Sequence, residues 1–169
     1  MTLRPCAQIP ELQVRRIRPD DKDALVAGLG RLSDQSVYQR FLSPKPRFTT
    51  SELRYLTEVD FTDHYALVAV LAGSDDVLVA VGRWVRHRDE PTTAEVAIVV
   101  ADDLQGRGVG TLLGRQLADA ARERGITRLT ATMLPTNVAA HRLLTKLLQR
   151  LEVHHDGGVD ELAGALVAV

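Results

Sequence analysis

The sequence predicts one α/β domain with a mixed sheet, and three features carry that expectation. Residues 94–101 form a nearly continuous apolar run, the pattern of a central strand covered on both faces. The run passes through the glycine-rich bend Gln105-Gly106-Arg107-Gly108-Val109-Gly110 straight into an amphipathic helix over residues 111–124. Upstream, two β-rich segments, 64–72 and 77–87, flank the turn Gly73-Ser74-Asp75-Asp76 and make a hairpin.

Taken in order, Val14-Arg15-Arg16-Ile17-Arg18 reads as a short strand, and Pro19-Asp20-Asp21 supplies helix-start chemistry for a helix reaching about residue 32. Leu25, Leu29 and Leu32 share its buried face. A second helix covers 33–41, Pro44-Lys45-Pro46 interrupts, and Thr50-Ser51-Glu52 opens a third helix to about residue 59. After the hairpin, the loop Asp89-Glu90-Pro91-Thr92-Thr93 leads to the central strand. The helix over 111–124 places Leu113, Leu117, Ala120 and Ala121 on one side, and Gly125 ends it. A strand over 127–134 stops at Pro135, and Asn137 leads an amphipathic helix to about residue 151. Strands over 152–156 and 162–169, joined through Gly157-Gly158, close the chain. The expectation is a single domain over 1–169, with 1–12 as a flexible N-terminal extension.

Composition narrows the function classes. With 45% hydrophobic and 25% charged residues and a net charge of -1, the chain has neither the signature of disorder nor a general nucleic-acid footprint. Cys6, the single cysteine, excludes a disulfide framework and a thiolate metal cluster. No segment approaches the roughly 20 apolar residues of a membrane span or the apolar core of a signal peptide. A soluble, cytoplasmic protein with no membrane partner is expected. The five histidines show no metal-ligand spacing, and no metal is expected.

The bend is the chemical centre of the sequence. A helix start leaves its first N–H groups unpaired, and glycines let an anion approach the bare backbone, so pyrophosphate is the natural guest. No lysine follows the last glycine as a Walker loop requires. Leu113 occupies the third glycine position of a dinucleotide fingerprint, and the following strand ends in Leu134-Pro135-Thr136-Asn137 with no ribose-binding carboxylate. Glu95 stands out separately, because it interrupts an apolar strand where a charge is costly unless it is paired or used. It reads either as a functional carboxylate, raised in pKa by burial, or as a strand-start carboxylate paired with an arginine.

The remaining pattern, Gln105-x-x-Gly108-x-Gly110, resembles the acyl-CoA-binding motif of the GNAT-type N-acetyltransferase superfamily, and the order of elements follows that superfamily across nearly the whole chain. The segments Ser36-Val37-Tyr38-Gln39-Arg40-Phe41, Asp63-His64-Tyr65-Ala66-Leu67-Val68-Ala69 and Ala94-Glu95-Val96-Ala97-Ile98-Val99-Val100 are similar to bacterial protein-lysine acetyltransferase domains. The resemblance implies a mixed, mostly antiparallel sheet of six to seven strands flanked by helices. It implies acetyl-CoA as co-substrate, its diphosphate on the amides of Gln105, Gly106, Arg107, Gly108, Val109, Gly110 and Thr111, and its pantetheine arm along the backbone of Ile98, Val99 and Val100 like an added strand. Asn137, a helix N-cap on its own reading, would also touch the arm.

Amide formation needs a neutral amine, and a lysine ammonium of pKa about 10.4 costs about 4.6 kcal/mol to deprotonate at pH 7. The resemblance assigns that proton to Glu95, directly or through water. Backbone N–H groups near Val99 and Val100 would polarise the thioester oxygen. Leu144 stands where many relatives carry a tyrosine for the departing thiolate, and Leu147-Leu148-Gln149 replaces the usual helix-ending Gly-Phe pair, so the last helix is expected to run on. Tyr38 and Arg40 are candidates for the acceptor pocket; Trp84 reads as core. The expected activity is transfer of an acetyl group to a primary amine, first of all a protein lysine, by direct attack in a ternary complex. An amino acid, polyamine or antibiotic is the other acceptor class, and a CoA-sensing or interaction module with reduced catalysis is the alternative outside enzymes. By analogy, a homodimer would form through the edge of Leu166-Val167-Ala168-Val169.

Overall fold

The computed structural model describes residues 10–45 and 47–167. Cys6 therefore lies outside the described residues. The elements are β1 (Leu12–Arg16), a 3-10 turn (Pro19–Asp21), α1 (Lys22–Gly30), α2 (Asp34–Phe41), α3 (Thr50–Thr57), β2 (His64–Leu71), β3 (Ser74–Arg86), β4 (Thr93–Val100), a 3-10 turn (Asp102–Leu104), α4 (Val109–Glu123), β5 (Arg128–Met133), α5 (Val138–Leu147), β6 (Leu148–Asp156) and β7 (Val159–Leu166). Seven strands form one sheet in the order β1-β2-β3-β4-β5-β7-β6. Every neighbouring pair is antiparallel except β4 and β5. The expected α/β class and mixed, mostly antiparallel sheet are therefore present.

Strand alternation divides the core in two. One face carries Tyr65, Leu67, Trp84, Ala94 and Val96 against Leu113 and Leu117 of α4. Trp84 is fully buried, stacks on Tyr65 at 5.6 Å and donates from Nε1 to the Leu117 carbonyl at 3.1 Å, as its expected core role requires. A Cβ on Gly82 would stand 2.7 Å from Leu117 Cδ1, so the missing side chain is what lets α4 lie close to β3. The other face carries Ala66, Val68, Val70 and Leu78 against Ile17 and Leu25, with α3 residues packed around them.

Local chemistry sets the helix starts. Ser33 Oγ accepts the Ser36 N–H at 3.2 Å to begin α2, and Thr49 and Glu52 form a reciprocal capping box at α3. The 3-10 turn before α1 is locked to the sheet by Asp21, which receives both Nη1 and Nη2 of Arg15 at 2.8 Å and the Arg18 N–H at 2.7 Å. Burial pushes the Asp21 carboxyl up, but the hydrogen bonds from Arg15 and Arg18 outweigh it and hold the group below the ordinary aspartate value.

Four boundary expectations are corrected. β1 begins at Leu12, inside the expected extension, because Leu12 pairs with Leu71 of β2; Ile17 and Arg18 have already left the strand. The helix α5 does not run on: it ends at Leu147, and Leu148 is extended (φ -120°, ψ 149°). Leu148 pairs with Leu166, and a Cβ on Gly164 would lie 3.0 Å from Leu148 Cβ, so β7 captures the side chain that the helical spacing claimed. Of the expected edge over 166–169, Ala168 and Val169 lie outside the described residues, and the final described strand is not an edge. β7 lies between β5 and β6, and its peptide groups are spent on both neighbours. Finally, β4 is not covered on both faces: Thr93, Ala94 and Val96 are buried, Glu95 is exposed, and Ala97, Ile98, Val99 and Val100 are half-buried.

Candidate active site

The half-buried end of β4 marks a break in the sheet. β4 pairs with β5 only through Thr93, Ala94 and Glu95, opposite Arg128, Leu129 and Thr130, and beyond Glu95 the two strands part. On its other side β4 stays paired with β3 as far as Val100. The Ala101 N–H bonds the Val79 carbonyl at 2.8 Å and the His87 N–H bonds the Thr93 carbonyl at 2.9 Å, so odd-numbered peptide groups of β4 face β3. The even-numbered ones face the other side, and those beyond the β5 pairing, at Ile98 and Val100, face the gap. This corrects the expected use of Val99: its peptide group is directed at Val81, and the free donors are those of Ile98 and Val100.

The gap leads to the glycine bend. Gly106 and Gly108 have φ of 74° and 86°, in the region that favours glycine, and a Cβ on either would meet nothing within 4 Å. Gly108 is the N-cap of α4, which begins at Val109, two residues before its expected start. The Gln105 N–H turns back to the Asp102 carbonyl at 3.4 Å and the Leu112 N–H bonds the Gly108 carbonyl at 3.0 Å; between them the N–H groups of 106–111 find no acceptor among the described residues. Among the expected diphosphate contacts, Arg107 is exposed, Val109 is buried so that only its backbone can take part, and Gly110 and Thr111 are half-buried in the first turn. Gln105 is engaged within the chain, its side chain donating to Ser36 Oγ at 3.1 Å and to the Val100 carbonyl at 3.0 Å. Asp102 likewise accepts the Ser33 N–H at 3.1 Å, so the bend is tied to the start of α2.

Asn137 caps α5, its Oδ1 accepting the Ala140 N–H at 3.2 Å and leaving its amide NH2 without an acceptor among the described residues. Leu144 is buried in the core, 4% exposed, and offers no acid.

Glu95 departs from its expected setting. It is exposed, on the face of β4 shared with Ala97 and Val99, which agrees in exposure with the strand-start reading rather than the buried one. Arg40 feels its charge, yet no ion pair joins the two. Tyr38 and Arg40 are separated by the helix: Tyr38 is 44% exposed on the outer side of α2, whereas Arg40 lines a cavity between the helical layer and β3–β4.

That cavity holds residues no motif identified. Arg83, 5% exposed in the last third of β3, donates from Nη1 to the Leu56 carbonyl at 3.1 Å and to His64 Nε2 at 2.9 Å. His64 accepts this bond and is therefore neutral. Burial first, and then the Arg83 charge, hold its pKa down at about 4 against the pull of Asp60. Tyr55 leans on His64 with ring centres 4.9 Å apart. The rule that singled out Glu95, an ion inside an apolar strand, also applied to Arg83 in Val79-Ala80-Val81-Gly82-Arg83-Trp84-Val85. Elsewhere the structure gathers two histidines that spacing left scattered: His141 Nε2 lies 3.1 Å from Oδ2 of the buried Asp160, which His155 also contacts.

The depressed His64 value has a consequence for stability. Between its unfolded value of about 6.5 and its folded value of about 4, the unfolded chain binds the proton and the folded chain does not, so stability falls as pH drops through that window. After allowance for partial solvation the loss is expected to be about 1–3 kcal/mol. Urea midpoints at pH 7 and 5 should converge for wild type and His64→Gln as the pH is lowered; parallel pH dependence would exclude His64 as the source.

Comparison with known proteins follows the same outline. Residues 35–148 match the sequence profile described as Acetyltransferase (GNAT) family. The chain is 35% identical over 134 residues to Acetyltransferase Pat of Mycolicibacterium smegmatis, covering 79% of this chain and 40% of that protein, so it spans about two fifths of that relative's length. Its fold superposes on the GNAT domain of S. lividans PAT with a TM-score of 0.82 and 32% identity, covering 92% of this chain and 90% of that one. It is also similar to yncA of Salmonella typhimurium, solved with its cofactor acetyl-CoA, at a TM-score of 0.70 over 92% of each chain; at 19% identity that likeness concerns the fold.

Proposed function

Because the chain belongs to the GNAT acetyltransferase family, we propose that it transfers an acetyl group from acetyl-CoA to a primary amine by direct attack in a ternary complex. One observation carries the reading: β4 parts from β5 after Glu95 and turns the N–H groups of Ile98 and Val100, which have no strand partner, toward a bend of unpaired N–H groups. This donor set fits the co-substrate, an amide-bearing arm attached to a diphosphate.

Bound there, acetyl-CoA supplies a thioester already activated for attack. The N–H groups of 106–111 hold the diphosphate at the positive end of α4, a helix end whose effect on a nearby anion is about 0.3–1 kcal/mol when exposed. The Arg107 side chain adds a charge-assisted contact. The Asn137 NH2 reaches the arm. The Ile98 N–H polarises the thioester oxygen, a task that needs no special side chain. Glu95 takes the ammonium proton, directly or through a water, which its exposed position permits. With Leu144 in the core, the thiolate leaves without a tyrosine, and water protonates it.

A protein lysine is the first acceptor on this reading, supported by the similarity of segments 36–41, 63–69 and 94–100 to protein-lysine acetyltransferase domains. Calorimetry with acetyl-CoA, paired with a thiol-release assay over folded proteins and small amines, tests the assignment. Micromolar to millimolar uptake with turnover is expected. Gly108→Val, which forces a branched side chain into φ 86°, is expected to weaken uptake at least about tenfold with the circular dichroism of wild type. No uptake by folded protein overturns the reading, and uptake without turnover on any amine makes the domain a CoA sensor.

A further inference from the structure

The cavity beside β3 and β4 measures about 70 Å³, room for a small polar group with its surroundings, and its wall is mostly apolar: Leu25, Phe41, Phe48, Leu56, Val81 and Val99. Two guanidinium groups, Arg40 and Arg83, face this wall. Arg83 is nine-tenths buried and more, and its Nε and Nη2 meet no acceptor among the described residues. Arg40 donates to none either, its guanidinium carbon standing 5.0 Å from the Phe41 ring centre. No carboxylate among the described residues forms an ion pair with either group.

The neighbours do not supply the missing charge. His64 is neutral and meets Arg83 with the lone pair of Nε2, so it brings no negative charge. Burial, and then the proximity of Arg40, pull Arg83 down to about 9, so it still carries its charge at neutral pH. Two like charges beside an apolar wall, with only the exposed Glu95 acting on Arg40 from outside and no ion pair on either group, are costly unless something negative joins them. A carboxylate matches a guanidinium fork geometrically and neutralises it, whereas a neutral ligand does not.

We infer that this cavity is a carboxylate subsite of the transferase, in which Arg83 and Arg40 hold the carboxylate of a small ligand, carried either by the amine acceptor or by the far end of the acyl group. The inference rests on the acyltransferase reading for its place in the reaction but not for the binding itself. Arg40 connects the two, since it lines the cavity and feels the charge of Glu95 on the same face of β4.

Butyrate, with butanol as the uncharged control, probes the cavity directly by ligand-observed NMR on the protein alone. Butyrate is expected to bind and butanol not, and Arg83→Met and Arg40→Gln are each expected to weaken butyrate at least tenfold. Arg40→Gln serves if Arg83→Met fails to fold. Two kinetic pairs then locate the carboxylate: free L-lysine against cadaverine as acceptors of acetyl, and succinyl-CoA against butyryl-CoA as donors. One pair is expected to favour the carboxylate-bearing member at least tenfold in kcat/KM, with the preference reduced in Arg40→Gln; the responding pair identifies the source. Failure of butyrate to bind, binding that survives both substitutions, or indifference of both kinetic pairs overturns the inference. Acetyl-CoA uptake is scored separately: its failure beside intact butyrate binding removes the transferase reading, and normal acetyl transfer beside no butyrate binding removes only the subsite.

Discussion

Replacing Glu95 by glutamine is expected to lower kcat about 10²–10⁴-fold while leaving the KM for acetyl-CoA within a few-fold of wild type. The carboxamide keeps the size of the side chain and its place on β4 but cannot accept a proton. Turnover in the variant then depends on amine that has already lost its proton, so it climbs about tenfold per pH unit below the amine pKa of about 10.4. Initial rates between about pH 6 and 9 on one amine, with acetyl-CoA binding measured separately, check both parts. Near-normal turnover across that range would remove Glu95 from the proton transfer and leave β4 a purely backbone contributor.

Asp21→Ala is expected to cost about 3–5 kcal/mol of folding stability, a large share of the roughly 5–15 kcal/mol available to a domain. The side chains of Arg15 and Asp21 are 9% and 6% exposed, so removing the carboxylate leaves a buried guanidinium charge with only the Arg16 and Asp75 carbonyls as acceptors, its Nε already lacking a partner. Replacing both residues together, as Arg15→Met with Asp21→Leu, is expected to recover most of the loss, because an apolar pair of similar volume pays no desolvation. Urea denaturation of the two single variants and the double variant separates these outcomes. A loss below about 1 kcal/mol for Asp21→Ala would mean that solvent reaches the pair freely.

Elements whose signal is local were legible in the sequence. The run into the glycine bend, the hairpin, and the helix starts at Ser33 and Thr50 each depend on neighbours a few residues apart, and the structure forms them within a few residues of the expected positions, Thr49 capping the third helix. What escaped depends on partners distant along the chain. Leu147 and Leu148 fit the apolar spacing of a continuing helix, and only β7, with the room left by Gly164, turns Leu148 into a strand. Which β4 peptides face the gap follows from pairing with β3, which no composition reveals. Glu95, flanked by apolar residues, left a buried and an exposed reading open, and the structure exposes it. His64, Tyr55 and Arg83 come together only when β2, α3 and β3 are packed, although Arg83 already showed the sign of a charge in apolar company.

The tie between the glycine bend and α2 complicates any mutational scan of this domain. Asp102 and Gln105 hold Ser33 and Ser36 at one end of the helix whose other end carries Arg40. A substitution at Ser36 therefore has no single address: a change in KM for one substrate is expected to travel with a change for the other. Assigning it needs double-mutant cycles against Gly108 and Arg40, in which the non-additive remainder, rather than either single value, reports how strongly the two halves share this helix.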